Sequence, residues 1–287
     1  MSSFSERYGY SPVRTVVQRE AIDSELRVAL WNLMELAYFD ALRSAQTMRY
    51  SGHEEVRWAR RVWMFYFKQP LDNMPRDWAT YLALLRKEVF DNEWFLVYDL
   101  LEHMPEIEPT TAASFMRTCN DLLARHLAAY RFVDGRIVEI TSNEEIVEIE
   151  QALSETHSMG SAAATHLREA LDLLGDRANP NYRNSIKESI SAVESIASAI
   201  VGKKATLGDA LKRLADAGVE LHPALKDAFG KLYGWTSDAD GIRHALTSES
   251  TATQDEARFM LVACSAFVNY LIVKASAPGV IAGDHPS

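Results

Sequence analysis

Apolar residues recur at three- and four-residue intervals along most of the chain, the period that gathers them on one side of an α-helix. From Asp23, whose carboxylate suits an N-cap, Leu26, Leu30, Leu33 and Ala37 form one apolar stripe. Further helices are predicted near 54–69, 76–90, 92–104 and 110–128. Pro70, Pro75, Pro105 and Pro109 punctuate them, because a proline removes a backbone donor and ends a helix. One stretch leaves the helical period: in "YRFVDGRIVEI", Phe132 and Val133 precede Asp134-Gly135 and Ile137, Val138 and Ile140 follow, which predicts a β-hairpin near 130–140. Ser142-x-x-Glu145 then has the form of a capping box, opening a helix that runs through Leu153. The small and polar run 154–164 marks a boundary, dividing the chain into domains at 1–156 and 157–287. Beyond it, helices are predicted at 162–175, 180–201, 206–217, 222–233 and 252–275. The seam Ile186, Ile190, Val193, Ala197 and that of Met260, Cys264, Phe267, Leu271 should pack side by side in a bundle. The expected class is all-α with one small hairpin.

Composition refines this picture. A chain of 287 residues, 47% hydrophobic, can bury two cores of ordinary size. A net charge of −10 argues against a broad nucleic-acid-coating surface and leaves room for a small basic site. Cys119 and Cys264, the two cysteines, sit inside apolar helical patterns, which suggests neither a disulfide framework nor a zinc site and favours a reducing cytoplasm. The start, "MSSFSERYGYSPVRT", lacks a signal-peptide core, and the run "FMLVACSAFVNYLIV", interrupted by Ser265 and Asn269, is too short to span a bilayer. A soluble cytoplasmic protein with no membrane partner is expected.

Candidate chemistry gathers before the last helix. In "TSDADGIRHALTSES", residues 236–250, Asp238, Asp240 and Gly241 form an exposed turn that presents Arg243 and His244. A histidine moves protons near neutrality, and a guanidinium binds phosphate and stabilises charge developing on it. Together they suit metal-independent RNA cleavage; beside acidic turn residues they equally suit a solvated, salt-bridging role. Asn184, Lys187, Ser191, Glu194 and Ser198 recur along the side of helix 180–201 opposite its apolar seam, where they line either a groove or simply solvent. In "HEEVRWARRVWMFYFK", Arg57, Arg60, Arg61 and Lys68 alternate with Trp58, Trp63, Phe65 and Tyr66. That mixture can grip phosphates and stack bases, although Glu54 and Glu55 stand ready to pair with the arginines. Arg117, Arg125, Arg131 and Arg136 around the hairpin have the placement of a winged DNA-binding module, which the acidic balance disfavours. No Gly-rich phosphate loop, His-Glu-x-x-His or Gly-x-Ser-x-Gly motif occurs, and no motif calls for a metal or cofactor.

The phrases "FSERYGYSPVRTVVQREAIDSELRVALWN", "NPNYRNSIKESISAVESI" and "LHPALKDAFGKLYGWTSDADGIRHAL" resemble abortive-infection proteins of the AbiJ type, in which a helical N-terminal domain precedes a C-terminal HEPN domain. The resemblance covers nearly the whole chain. It implies a four-helix HEPN bundle that dimerises, a site near the start of the final helix, and metal-independent RNA cleavage in antiphage defence. It also implies that the N-terminal domain senses a phage or host trigger. HEPN nucleases carry an arginine, about four to six residues, then a histidine, and no histidine of this chain has that partner. His244 stands where the signature histidine is expected, with adjacent Arg243 or the distant Arg183 left to supply the guanidinium. A catalytically degenerate scaffold that dimerises, or binds a partner or nucleotide, is the alternative.

Overall fold

The computed structural model describes residues 4, 8, 10, 16–44, 54–158, 162–176, 179–237 and 252–276. It is 74% helical with one small antiparallel hairpin, as the periodicity and the Asp134-Gly135 turn predict. The chain divides into two compact units, Met1–Thr141 and Ser142–Ser287.

In the first unit, α1 begins at Ser24–Met34, where the Asp23 carboxylate accepts the Leu26 N–H at 2.8 Å as the sequence predicts. The helix passes through a π-helical turn, Glu35–Phe39, and ends with Asp40–Ser44. That turn inserts one residue, so the buried stripe runs Leu26, Leu30, Met34 and then Phe39; Leu33 and Ala37, expected on the stripe, are only partly buried. α2, Glu54–Arg61, continues into a second π turn, Val62–Tyr66. α3 is Trp78–Asp91, α4 Trp94–His103 and α5 Pro109–Arg125. Arg27 of α1 donates to Ile22 O at 3.2 Å, to Val89 O and to Asn92 O at 2.8 Å, so it ties α1 to the carbonyls that end α3. Strands β1, Arg131–Val133, and β2, Arg136–Val138, pair antiparallel, with Asp134 and Gly135 both at positive φ as a tight hairpin turn requires. Asn120 of α5 satisfies the outer edge of β1 through both its amide groups, at 2.9 Å to Phe132 O and 2.7 Å from Phe132 N.

In the second unit α6 is Asn143–Ser158, α7 Ala162–Gly175, α8 Tyr182–Ile200, α9 Leu207–Arg213, α10 Pro223–Ser237 and α11 Gln254–Ala275. α6 packs on α7, α7 on α8, α8 on α11, and α11 back on α6, which closes a ring of four helices. The compact unit therefore starts before α6, whereas the polar run at 154–164 suggested a boundary after it. α7 and α8 run antiparallel, pinned by Ser185 Oγ donating to Ala170 O at 2.7 Å. α11 is long and apolar enough to cross a membrane by length and composition, which the shorter run read from the sequence was not; half of its most apolar window is buried, as in the core helix of a bundle.

Candidate functional site

α8 starts behind Asn181, whose side-chain oxygen accepts the Asn184 N–H at 3.4 Å. Residues 180–184 and Ala252 line a cavity of about 420 Å³, so the entry to α8 and the residue leading into α11 share one space. α11 caps itself: Glu256 N–H donates to Thr253 Oγ1 at 3.3 Å and Thr253 N–H to Glu256 Oε2 at 2.8 Å. The first turn of the 19-residue α8 supplies the partial positive charge of a helix N-terminus on the other side. With Arg183 and Asn184 in its wall, the cavity has the makings of an anion site.

The sequence-predicted site residues separate in space. Arg183 and Asn184 line this cavity, while Arg243 and His244 lie outside the described residues. Lys187 is exposed, its ammonium 3.7 Å from Glu188 Oε1. Ser191 Oγ donates to Lys187 O at 3.0 Å, within its own helix. Glu194 Oε1 accepts the Leu207 N–H at 3.1 Å, and the Ser198 hydroxyl exchanges hydrogen bonds with Ala205 N and O at 3.2 Å. These last two hold the turn before α9. Ten residues of α8, about 15 Å of helix, separate Glu194 from Asn184.

The other basic clusters are structural. Trp58 and Trp63 are buried and donate their indole N–H to His103 O at 2.9 Å and Pro70 O at 2.8 Å, while Arg57 pairs with Glu54 and Arg61 with Glu106 at 2.8 Å. Arg131, a candidate wing residue, is buried and donates to Ala128 O and Tyr130 O at 2.7 Å; loss of hydration holds its pKa below the ordinary guanidinium value. Burial pushes the Cys264 thiol up to about 12, which rules it out as a nucleophile near neutrality. Two groupings escaped the sequence. One is a second cavity of about 300 Å³ between α9 and α10, with Lys212, Lys226 and Lys231 around Asp227. The other is the contact of His166 with Glu188 across α7 and α8, at 2.7 Å. The i, i+3 pair His166-x-x-Glu169 was its visible half.

Fold and cavity together define a two-unit helical protein whose second unit, built on a ring of four helices, carries an anion-type pocket. The family model for AbiJ N-terminal domain 4 matches residues 2–155, more than half of the chain, and the chain belongs to that family. It is thus an AbiJ-type protein, and the domain ties it to abortive-infection antiphage systems. No curated protein and no solved structure matches the chain. The match runs across most of α6, which packs within the second compact unit.

Proposed function

We propose that the second unit is a HEPN-type effector, cytoplasmic and without a membrane partner, that cuts RNA without a metal ion once the AbiJ-type domain meets a phage or host trigger. The observation that carries this reading is the cavity between the α8 entry and Ala252. Ala252, which lines the cavity with Arg183 and Asn184, follows His244 by eight residues in the sequence. In the reaction, His244 serves in proton transfer: a base takes the 2′-hydroxyl proton, that oxygen attacks the adjacent phosphorus, and an acid protonates the departing 5′ oxygen. Arg243 stabilises the charge gathering on the phosphoryl oxygens, and Arg183 with Asn184 holds the backbone phosphate.

A homodimer belongs to this proposal. Phe259, Val262, Ala263, Ala266, Tyr270 and Val273 form a partly or fully exposed apolar stripe along α11, opposite its buried seam, and a second copy would cover it by two-fold symmetry. The missing arginine–histidine spacing favours the second reading, a catalytically degenerate scaffold.

The test expresses wild-type, His244→Ala and Arg183→Ala chains in phage-infected cells and follows RNA integrity, then repeats the assay on purified protein in EDTA. Wild type should cut in infected cells and, when purified from them, in EDTA, with His244→Ala slower by about 10²- to 10⁴-fold. Equal cutting by His244→Ala removes His244 from the mechanism. Protection against phage with intact RNA in infected cells establishes the scaffold reading instead.

A further inference from the structure

We propose that His166, Glu169 and Glu188 form a binding site for a zinc-class divalent transition metal that staples α7 to α8. Glu188 is the one buried acidic residue among the described residues, and it faces α7 from the middle of the packed side of α8. The nearby hydroxyls are committed elsewhere: Ser185 Oγ donates to Ala170 O at 2.7 Å and Ser189 Oγ to Ser185 O at 2.9 Å, so neither serves the carboxylate. Its contacts are His166 Nδ1 at 2.7 Å on one oxygen and the half-exposed Lys187 ammonium at 3.7 Å from the other. Glu169, one turn beyond His166 on α7, makes no ion pair or hydrogen bond among the described residues, yet its carboxylate reaches the same point. One ligand atom from each of the three residues lies within 4.8 Å of the other two.

Charge argues for a cation there. The two carboxylates carry two negative charges, and the half-exposed Lys187 ammonium offsets one of them. A divalent ion removes the remainder. The donor set of one imidazole nitrogen and two carboxylate oxygens suits zinc, cobalt or nickel, whereas calcium and magnesium prefer oxygen alone. Metal–ligand bonds of about 2.0–2.2 Å place neighbouring donors somewhat over 3 Å apart, so the His166–Glu188 contact opens by roughly half an ångström and Glu169 closes in. His166 is partly exposed and Glu169 fully, which gives the ion an entry path and leaves coordination positions for water. Glu188 follows Asn184 by one turn, so an ion here fixes the stretch of α8 that forms the cavity wall; it supplies no step of RNA cleavage.

The experiment titrates zinc chloride into the untagged, metal-stripped full-length chain by calorimetry and records the visible absorption of the cobalt(II) form. Wild type should bind one zinc at micromolar or tighter affinity, show the cobalt d–d bands of a site with few ligands, and melt about 3 °C or more higher with zinc. Glu169→Gln keeps the His166–Glu188 contact and the fold, so it isolates the metal: zinc affinity should fall at least about tenfold and the cobalt spectrum should change. His166→Ala should do the same. Wild-type affinity weaker than about 100 μM, or unchanged binding in both variants, overturns the proposal and leaves a His–Glu contact that pins two helices.

Discussion

The first unit builds much of its interior from rings, whereas the second relies on aliphatic side chains and adds small residues and buried polar groups between its helices. Five of the six tryptophans, at 31, 58, 63, 78 and 94, lie in the first unit. Tyr81 alone touches Trp58, Trp63, Phe67 and Trp78, and its hydroxyl donates to Ala59 O at 2.9 Å. The buried rings fill large areas in fixed shapes, and Trp58, Trp63 and Tyr81 spend their polar atoms on carbonyls, so the unit is specified by packing. Ala170 of α7 and Ser185, Ser189 and Ala192 of α8 are all buried, and one hydroxyl-to-carbonyl bond, Ser185 Oγ to Ala170 O, joins the two helices. Small residues bring backbones close but leave room for Glu188 and, on the α6–α11 side, for Asn269, whose amide donates to Glu148 O at 3.0 Å and Oε2 at 2.9 Å. The difference separates a domain built for a stable shape from one that retains buried polar chemistry.

The largest test of that contrast is Tyr81→Ala. Removing a fully buried ring should cost the first unit about 3–5 kcal/mol, read as a shift in the tryptophan-fluorescence denaturation curve, which reports mainly on that unit. A loss below about 1 kcal/mol would mean the ring network is not what specifies it. Next comes Ser189→Leu in the second unit. With no free volume at 0% exposure, the added side chain should overpack α8 and cost about 1–3 kcal/mol by far-UV circular dichroism. Neutral behaviour would show that the small-residue contact is loose.

Legibility followed the same division. The start of α1 was readable because its cap is local: Asp23 accepts a backbone N–H three residues on, as Asp77, Thr206 and Thr253 do at helices whose caps the sequence reading did not name. The hairpin was readable because Asp134-Gly135 demands positive φ at both positions. The π turns were not, because no local residue pattern marks them; Tyr38, Phe39 and Trp63 within them are buried. Of the site, Arg183 and Asn184 reached a cavity, whereas Glu194 and Ser198 shared their face and were claimed by a turn that periodicity cannot foresee. His166 and Glu188 stand 22 residues apart on different helices, a pairing that only the antiparallel packing of α7 and α8 creates.

A smaller effect sharpens the hydroxyl argument. Ser185→Ala removes the bond to Ala170 O while adding no volume, so the second unit should lose about 0.5–1.5 kcal/mol and the tryptophan-monitored transition should not move. A shift of both transitions together would show that the units unfold as one, and the contrast in their cores would then have no separate thermodynamic expression.

The smallest expected effect concerns a carboxyl that the first unit partly buries. Glu102 of α4 accepts the Ile137 N–H at 2.6 Å, docking the hairpin on the helix. Burial raises its carboxyl pKa; the Ile137 N–H and nearby Arg136 lower it without cancelling that rise, and Asp99, itself raised by burial, adds to it. A carboxyl raised in the folded state binds its proton more tightly there than in the unfolded chain. Its contribution to stability is therefore full below the ordinary value of 4.5 and is lost as pH climbs through the raised one. Glu102→Gln keeps an oxygen for the Ile137 N–H and has no charge to desolvate. It should match wild type near pH 4 and lose less stability on the way to pH 7, with Asp99 still supplying part of the decline. Parallel stability curves for the two proteins across that range would show that the Ile137 N–H and Arg136 already offset the burial of the charge.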